Sequence, residues 1–136
     1  MRKSFPLHHS GGFRALWGKG CVARGTFAFL SGTEGIDAET LKVHATMGAQ
    51  VDLAWEKIKA RLEEMGTSCE NIVQKMTFVT DMDEWSRHAV WYQLRWLQKN
   101  CPKLLEEEPA GTLLGVPRLA LPEMMVEIQV IAVLPE

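Results

Sequence analysis

Residues 124–133 read Met-Met-Val-Glu-Ile-Gln-Val-Ile-Ala-Val, and as a strand this run is apolar on both sides. Side chains alternate between faces along a strand, so Met124, Val126, Ile128, Val130 and Ala132 share one face. Met125, Glu127, Gln129, Ile131 and Val133 share the other. A sheet with one face in water needs only one apolar face, so here both require cover. Helices supply the first. The second requires another subunit, because a contiguous apolar patch marks an interaction surface. One carboxylate, Glu127, stands in that second face and needs a ligand or a structural partner there.

The rest of the chain alternates strand and helix signals. Short strands are predicted at Phe13 to Trp17, Cys21 to Arg24 and Thr26 to Ser31, punctuated by Gly18, Gly20 and Gly25. Ser31-Gly-Thr-Glu-Gly-Ile-Asp then forms a loop in which Gly32 and Gly35 permit positive φ or close backbone approach. From Val43 to Met65 the period is helical, with Met47, Val51, Ala54, Ile58, Leu62 and Met65 on one face and Gly66 as a stop. Val73 to Thr80 reads as a strand. Asp81 can cap a second helix, whose stripe is Trp85, Ala89, Tyr92 and Trp96. A pair of strands follows, the first from Pro109 and the second after Pro122. The order β-β-β-α-β-α-β-β predicts an α+β fold, with the two helices on one face of the sheet. At 136 residues and 46% hydrophobic content the chain makes one domain, 1–136, with 1–10 loosely ordered.

Composition excludes several function classes. Net charge is −2 with no basic stripe, so no nucleic-acid partner is expected. No window approaches a membrane span, and no apolar signal core follows Met1-Arg-Lys, so the cytoplasm is the expected location. Cys21, Cys69 and Cys101 are odd in number and widely spaced, which fits neither a zinc site nor a disulfide framework. His8 and His9 lack a carboxylate–histidine spacing. No metal and no cofactor are expected.

Several segments together resemble one family. They are Val22-Ala-Arg-Gly-Thr-Phe-Ala-Phe-Leu-Ser-Gly with Gly35-Ile-Asp, Gln50 opening the long helix, and Val73-Gln-Lys-Met-Thr-Phe-Val-Thr-Asp-Met-Asp-Glu-Trp. Tyr92, Pro109-Ala, Val116, Leu121-Pro and Val126-Glu-Ile-Gln-Val-Ile-Ala complete the pattern, over about residues 20–134. It is similar to the RidA/YjgF superfamily of reactive-intermediate deaminases, also described as endoribonuclease L-PSP-like. The resemblance implies a chorismate-mutase-like α+β domain, a homotrimer with ligand clefts between subunits, and hydrolysis of enamines and imines to a keto acid and ammonia. It implies that Glu127 helps to place or activate water. In the family, Pro-Ala-Arg supplies an arginine that clamps the substrate carboxylate; this chain has Pro109-Ala-Gly111. A lost charged hydrogen bond is worth roughly 1.5–3 kcal/mol, or about ten- to a hundredfold in affinity. Arg14, Arg24 and Arg118 are the candidate substitutes. Other departures are Gly18-Lys-Gly-Cys for a Tyr-Ser-Gln-Ala segment, Ala89 for an asparagine, and extra residues around Lys103-Leu-Leu-Glu-Glu-Glu.

The candidate site is therefore Glu127 as the catalytic, water-orienting carboxylate, with Trp17, Ser31, Gly32, Gly111 and Thr112 binding a small-molecule ligand. Trp17, with Phe13, would shape the pocket, and backbone amides near Ser31 and Thr112 would hold the ligand. Each residue also has a plainer reading: Glu127 as a hydrogen-bonded structural acid, Ser31-Gly32 as a turn, Gly111 as a bulge or close approach. Two functions follow, a hydrolytic deaminase or related water-adding enzyme, and a non-catalytic metabolite-binding or regulatory trimer. Ribonuclease action ranks below both, since the chain is acidic and has no histidine pair placed for phosphodiester cleavage.

Overall fold

The computed structural model describes residues 1–7 and 17–136. Phe13, Arg14, His8 and His9, and with them the strand predicted at Phe13 to Trp17 apart from Trp17 itself, lie outside the described residues.

The elements are β1 (Arg2–Phe5), β2 (Gly20–Ala23), β3 (Phe27–Phe29), β4 (Thr33–Glu34), α1 (Met47–Glu64), β5 (Ile72–Val79), α2 (Met82–Glu84), α3 (Val90–Asn100), α4 (Lys103–Glu106), β6 (Ala110–Gly115) and β7 (Val126–Val133). A mixed sheet of the order β3-β7-β5-β6, with β4 also on β7, forms the frame. All its pairs are antiparallel except β5 with β6. That parallel pair demands a crossover, which the segment carrying α2, α3 and α4 provides. The fold is thus a mixed-sheet α+β domain, as the element order predicts.

Thr46 caps α1, its hydroxyl accepting from the Ala49 amide, while its own backbone stays extended. The helix begins four residues later than its apolar period suggests, because Val43 is held in a bridge to Ile36. It ends where Gly66 takes φ 89°, a left-handed conformation that favours glycine. Met47, Val51, Ala54, Ile58 and Leu62 are buried, but Met65 falls past the stripe and is exposed. Asp81 caps α2 through its side chain, accepting from the Glu84 amide. One wide π turn, Trp85–Ala89, separates α2 from α3. Trp55 and Trp96 stack at 5.4 Å between α1 and α3, and the Trp55 indole donates to Gln93. These helices cover the sheet face made by Val126, Ile128, Val130 and Ala132, none more than 1% exposed.

Gln50 fastens the start of α1 to the approach of β7. Its amide donates to the carbonyls of His44 and Glu123, and its oxygen accepts from the Met125 amide at 2.8 Å. The side chain is fully buried with three partners, so it locks the turn that delivers Glu127.

The expectation of a loosely ordered N-terminus is corrected for Arg2–Phe5. That segment pairs antiparallel with β2, Arg2 opposite Ala23 and Phe5 opposite Gly20. The Arg2 guanidinium donates to the carbonyls of Ile72 and Glu107, and the Ser4 hydroxyl to that of Glu108. These partners lie far along the chain, and Arg-Lys-Ser-Phe has no apolar alternation, so its local pattern gives no strand signal.

The sheet's second face is open in the single chain. Phe29 is 70% exposed there, and Met76, Phe78, Leu114 and Ile131 are only half-buried.

Candidate functional site

Glu127 lies on that open face in the middle of the sheet. Its neighbour on β5 is Phe78 and its register partner on β4 is Glu34. The loop that leads into β4 crosses directly against it. A Cβ built on Gly32 would stand 2.6 Å from the Glu127 carboxyl carbon, so glycine lets the Ser31-Gly32 backbone lie against the acid without displacing it. Of the two roles left open for Gly32, close approach is the one realised; its φ is not in the left-handed region. Burial, then hydrogen bonding of the protonated carboxyl to Glu34 and that residue's charge, push Glu127 above its ordinary value. Glu34 in turn meets the Lys57 ammonium of α1 at 3.4 Å, and Lys57 also donates to the carbonyls of Glu34 and Ile36. Arg61, one turn on, donates to the buried Thr33 hydroxyl. This arrangement can hold a proton at Glu127 and present it beside an apolar surface.

Gly111 belongs to a different place. It lies opposite Lys75 on β5, on the helix side of the sheet, and a Cβ there would come within 2.7 Å of the Trp17 Cβ and 3.3 Å of the Lys75 carbonyl. Gly18, next to Trp17, donates its amide to the Pro109 carbonyl at 2.8 Å and so fixes Trp17 over β6. Trp17 therefore occupies the ground that a side chain at position 111 would cross. Beneath it, the Lys75 side chain is buried; burial pushes its ammonium down to about 7, and the charge of Glu108 offsets this only in part.

The predicted residues thus divide into two groups. Ser31 and Gly32 meet Glu127, and Trp17 meets Gly111, but one chain does not join the groups. Gly111 pairs with Lys75 and Glu127 with Phe78, three residues further along β5, roughly 10 Å at 3.3 Å each, and the two point to opposite faces. Thr112 is exposed on the Glu127 face, opposite Met76 and level with Gln129. Neither Arg24 nor Arg118 replaces the missing arginine within the chain. Arg24 is exposed with its backbone bonded to Met1, and Arg118 is exposed beyond the end of β6. Cys21 is half-buried, and burial raises its thiol, as suits a packed residue rather than a nucleophile. A depression of about 370 Å³ lined by Lys59, Glu63, Cys69 and Cys101 includes none of the predicted site residues.

Sequence reasoning missed Glu34 and Lys75. Glu34 sits in a loop-like Gly-Thr-Glu-Gly run, and its pairing with Glu127 spans 93 positions. Lys75 had a signal: it shares strand parity with Val79, so if Val79 points to the core, Lys75 does too.

The family model described as Endoribonuclease L-PSP matches residues 14–134. A RutC family protein of Aquifex aeolicus is 33% identical over 107 residues, covering 79% of this chain and 80% of that protein. Another from Pasteurella multocida is 30% identical over 112 residues, covering 82% and 83%. Among solved structures, E. coli TdcF with bound serine superposes with a TM-score of 0.68 at 22% identity, covering 96% of this chain and 93% of that one. At that identity the likeness is one of fold.

Proposed function

As the chain belongs to the endoribonuclease L-PSP family, the RidA/YjgF superfamily, we propose that it binds a small metabolite beside Glu127 and hydrolyses its enamine or imine group to a carbonyl and ammonia. The observation that carries this reading is the acid itself: a half-buried carboxyl with a raised proton affinity, beside the Ser31-Gly32 backbone and an apolar sheet face. General acid–base work at neutral pH calls for a carboxyl tuned upward in this way. The TdcF structure holds serine, a small amino acid, which supports a ligand of that size.

The open face completes the picture. Phe29, Met76, Phe78, Leu114 and Ile131 would be covered by neighbouring copies in a homotrimer, and Glu127 would then border a cleft between subunits. A neighbour is also what would bring a Trp17–Gly111 wall near a Glu127, since one chain holds them apart. Light scattering is expected to give three times the chain mass; a monomer would contradict the shared cleft.

A second reading, a metabolite-binding trimer without chemistry, is favoured by one observation, the absent arginine at Gly111. The two readings separate in an assay of ammonia release from imines generated enzymatically in situ. The hydrolase reading expects wild type to exceed the buffer rate; the binder reading expects equality. Restoring the arginine also tests the site. Gly111→Arg alone is expected to destabilise the protein without gain of activity, because its Cβ meets that of Trp17. Combining it with Trp17→Gly is expected to recover stability and raise kcat/KM for carboxylate-bearing imines by about ten- to a hundredfold, as a charged hydrogen bond would. Gly111→Arg alone with undiminished stability would show that Trp17 does not bar the position.

A further inference from the structure

We propose that the outward face of α3 is a docking surface for an acidic peptide segment of a partner protein, with Trp91 as its apolar anchor and Arg87 and Arg95 as the cations that flank it. This surface lies apart from Glu127 and does not depend on the chemistry there. Two observations carry it. The chain has 17 acids to 15 lysines and arginines, yet from Ser86 to Asn100 it bears Arg87, Arg95 and Lys99 and no acid at all. Within that stretch Trp91 is 54% exposed, whereas Trp55, Trp85 and Trp96 of the helical segments are buried.

Helical spacing sets the geometry. Trp91 and Arg95 are four residues apart in α3 and so are neighbours on its surface. Arg87 precedes Trp91 by the same step across the π turn, and all three are exposed. The buried residues of α3, Gln93, Trp96 and Leu97, face the other way. Among the described residues, no side-chain hydrogen bond or ion pair holds Arg87 or Trp91. The Arg95 guanidinium lies over the Tyr92 ring, 4.7 Å from its centroid, and borders a groove of about 330 Å³ between α1 and α3 that Lys99 also lines. The face belongs to the helix layer, opposite the sheet face that neighbouring copies would cover, so the trimer proposed above leaves it open.

Charge and shape select the occupant. Guanidinium groups recognise carboxylates through paired hydrogen bonds, and arginine and tryptophan are the side chains on which protein interfaces most often anchor. The exposed indole calls for an apolar side chain between the carboxylates, which a peptide supplies. A polyphosphate chain fits less well. Asp81 and Asp83 are exposed at the start of the same helical segment, and Asp52 and Glu56 line the groove, so uniform negative charge running along the helix meets these acids as well as the cations. A short peptide can set its carboxylates at the two arginines alone.

The test follows the indole N–H signal of Trp91 in ¹⁵N-labelled protein, assigned by its disappearance in Trp91→Phe, as a synthetic peptide of alternating glutamate and leucine is added. The signal is expected to shift to saturation, with binding weakened by added salt. Calorimetric titration of Arg87→Gln and of Trp91→Ala is expected to show affinity lowered by about tenfold or more in each. Both side chains are exposed, and amide spectra that match wild type exclude a folding artefact. A Trp91 signal unmoved at millimolar peptide overturns the proposal. So does equal binding of the same peptide with glutamine in place of glutamate, or undiminished affinity in Arg87→Gln. Tighter binding of an oligouridylate, or of vesicles of phosphatidylserine and phosphatidylcholine, would overturn it in favour of those partners. A signal that moves with protein concentration alone would give the face to a second copy instead.

Discussion

Lys75→Met is expected to stabilise the protein at neutral pH and to flatten its stability between about pH 7 and 10. The Lys75 ammonium falls from 10.5 to about 7 on folding because it is buried, and Glu108 offsets this only in part. A shift of that size is on the order of 5 kcal/mol of differential interaction between charged and neutral forms. Below pH 7 the lysine is charged in both states, so the fold bears the full cost. As pH rises from 7 to 10.5 the unfolded chain keeps a proton that the folded chain has released, and stability therefore climbs. Above that range both forms are neutral and the cost is gone. Methionine fills similar volume without a charge, and Glu108 keeps the Leu7 amide as a partner. Urea denaturation at several pH values and one protein concentration measures this. The variant is expected to lead by a few kcal/mol at pH 6 and to converge with wild type by about pH 10. A variant less stable at every pH, with the wild-type slope retained, would show that Lys75 is a favourable contact.

Glu127→Gln is expected to lower kcat for imine hydrolysis by about 10²–10⁴-fold, the range that general acid–base catalysis supplies. The amide has the carboxyl's shape, so the clearance left by Gly32 still fits it, and it keeps its place opposite Glu34. What it cannot do is give up or take a proton at neutral pH. The loss should therefore appear in kcat, with KM changed by no more than a few-fold. Stability should hold or rise slightly, since a carboxyl facing Glu34 is replaced by a neutral group. A large rise in KM with kcat intact would assign Glu127 to binding alone.

Much of the fold could be read from the chain because its signals were local. The α1 stripe from Met47 to Leu62, the Asp81 cap, and the parity of Val126, Ile128, Val130 and Ala132 each follow from spacing within a few residues. The features that escaped depend on distant partners. β1 exists because Arg2 reaches Ile72 and Glu107, and nothing in Arg-Lys-Ser-Phe announces it. The site was legible in its central acid and in the glycine beside it, since a carboxylate in an apolar strand and a Ser-Gly after a strand are both visible by eye. Its electrostatics were not. Glu34 comes to Glu127 through the β4–β7 register, and Lys57 to Glu34 through the packing of α1, and only a structure fixes those. Gly111 and Glu127 stand on successive strands of the sequence, yet β5 lies between β6 and β7 and parity sends the two residues to opposite faces; strand reading alone fixes neither the strand order nor the parity between strands.

The most direct test of the central claim, that Glu127 catalyses hydrolysis of a small imine, is the initial rate of ammonia release from an imine generated in situ at pH 7, for wild type and Glu127→Gln at equal concentration and with matching circular dichroism. Wild type is expected to exceed the buffer rate, and the variant to return to within about a hundredth of the enzymatic increment above it. Equal rates for the two proteins, whether above the buffer rate or at it, would contradict the claim.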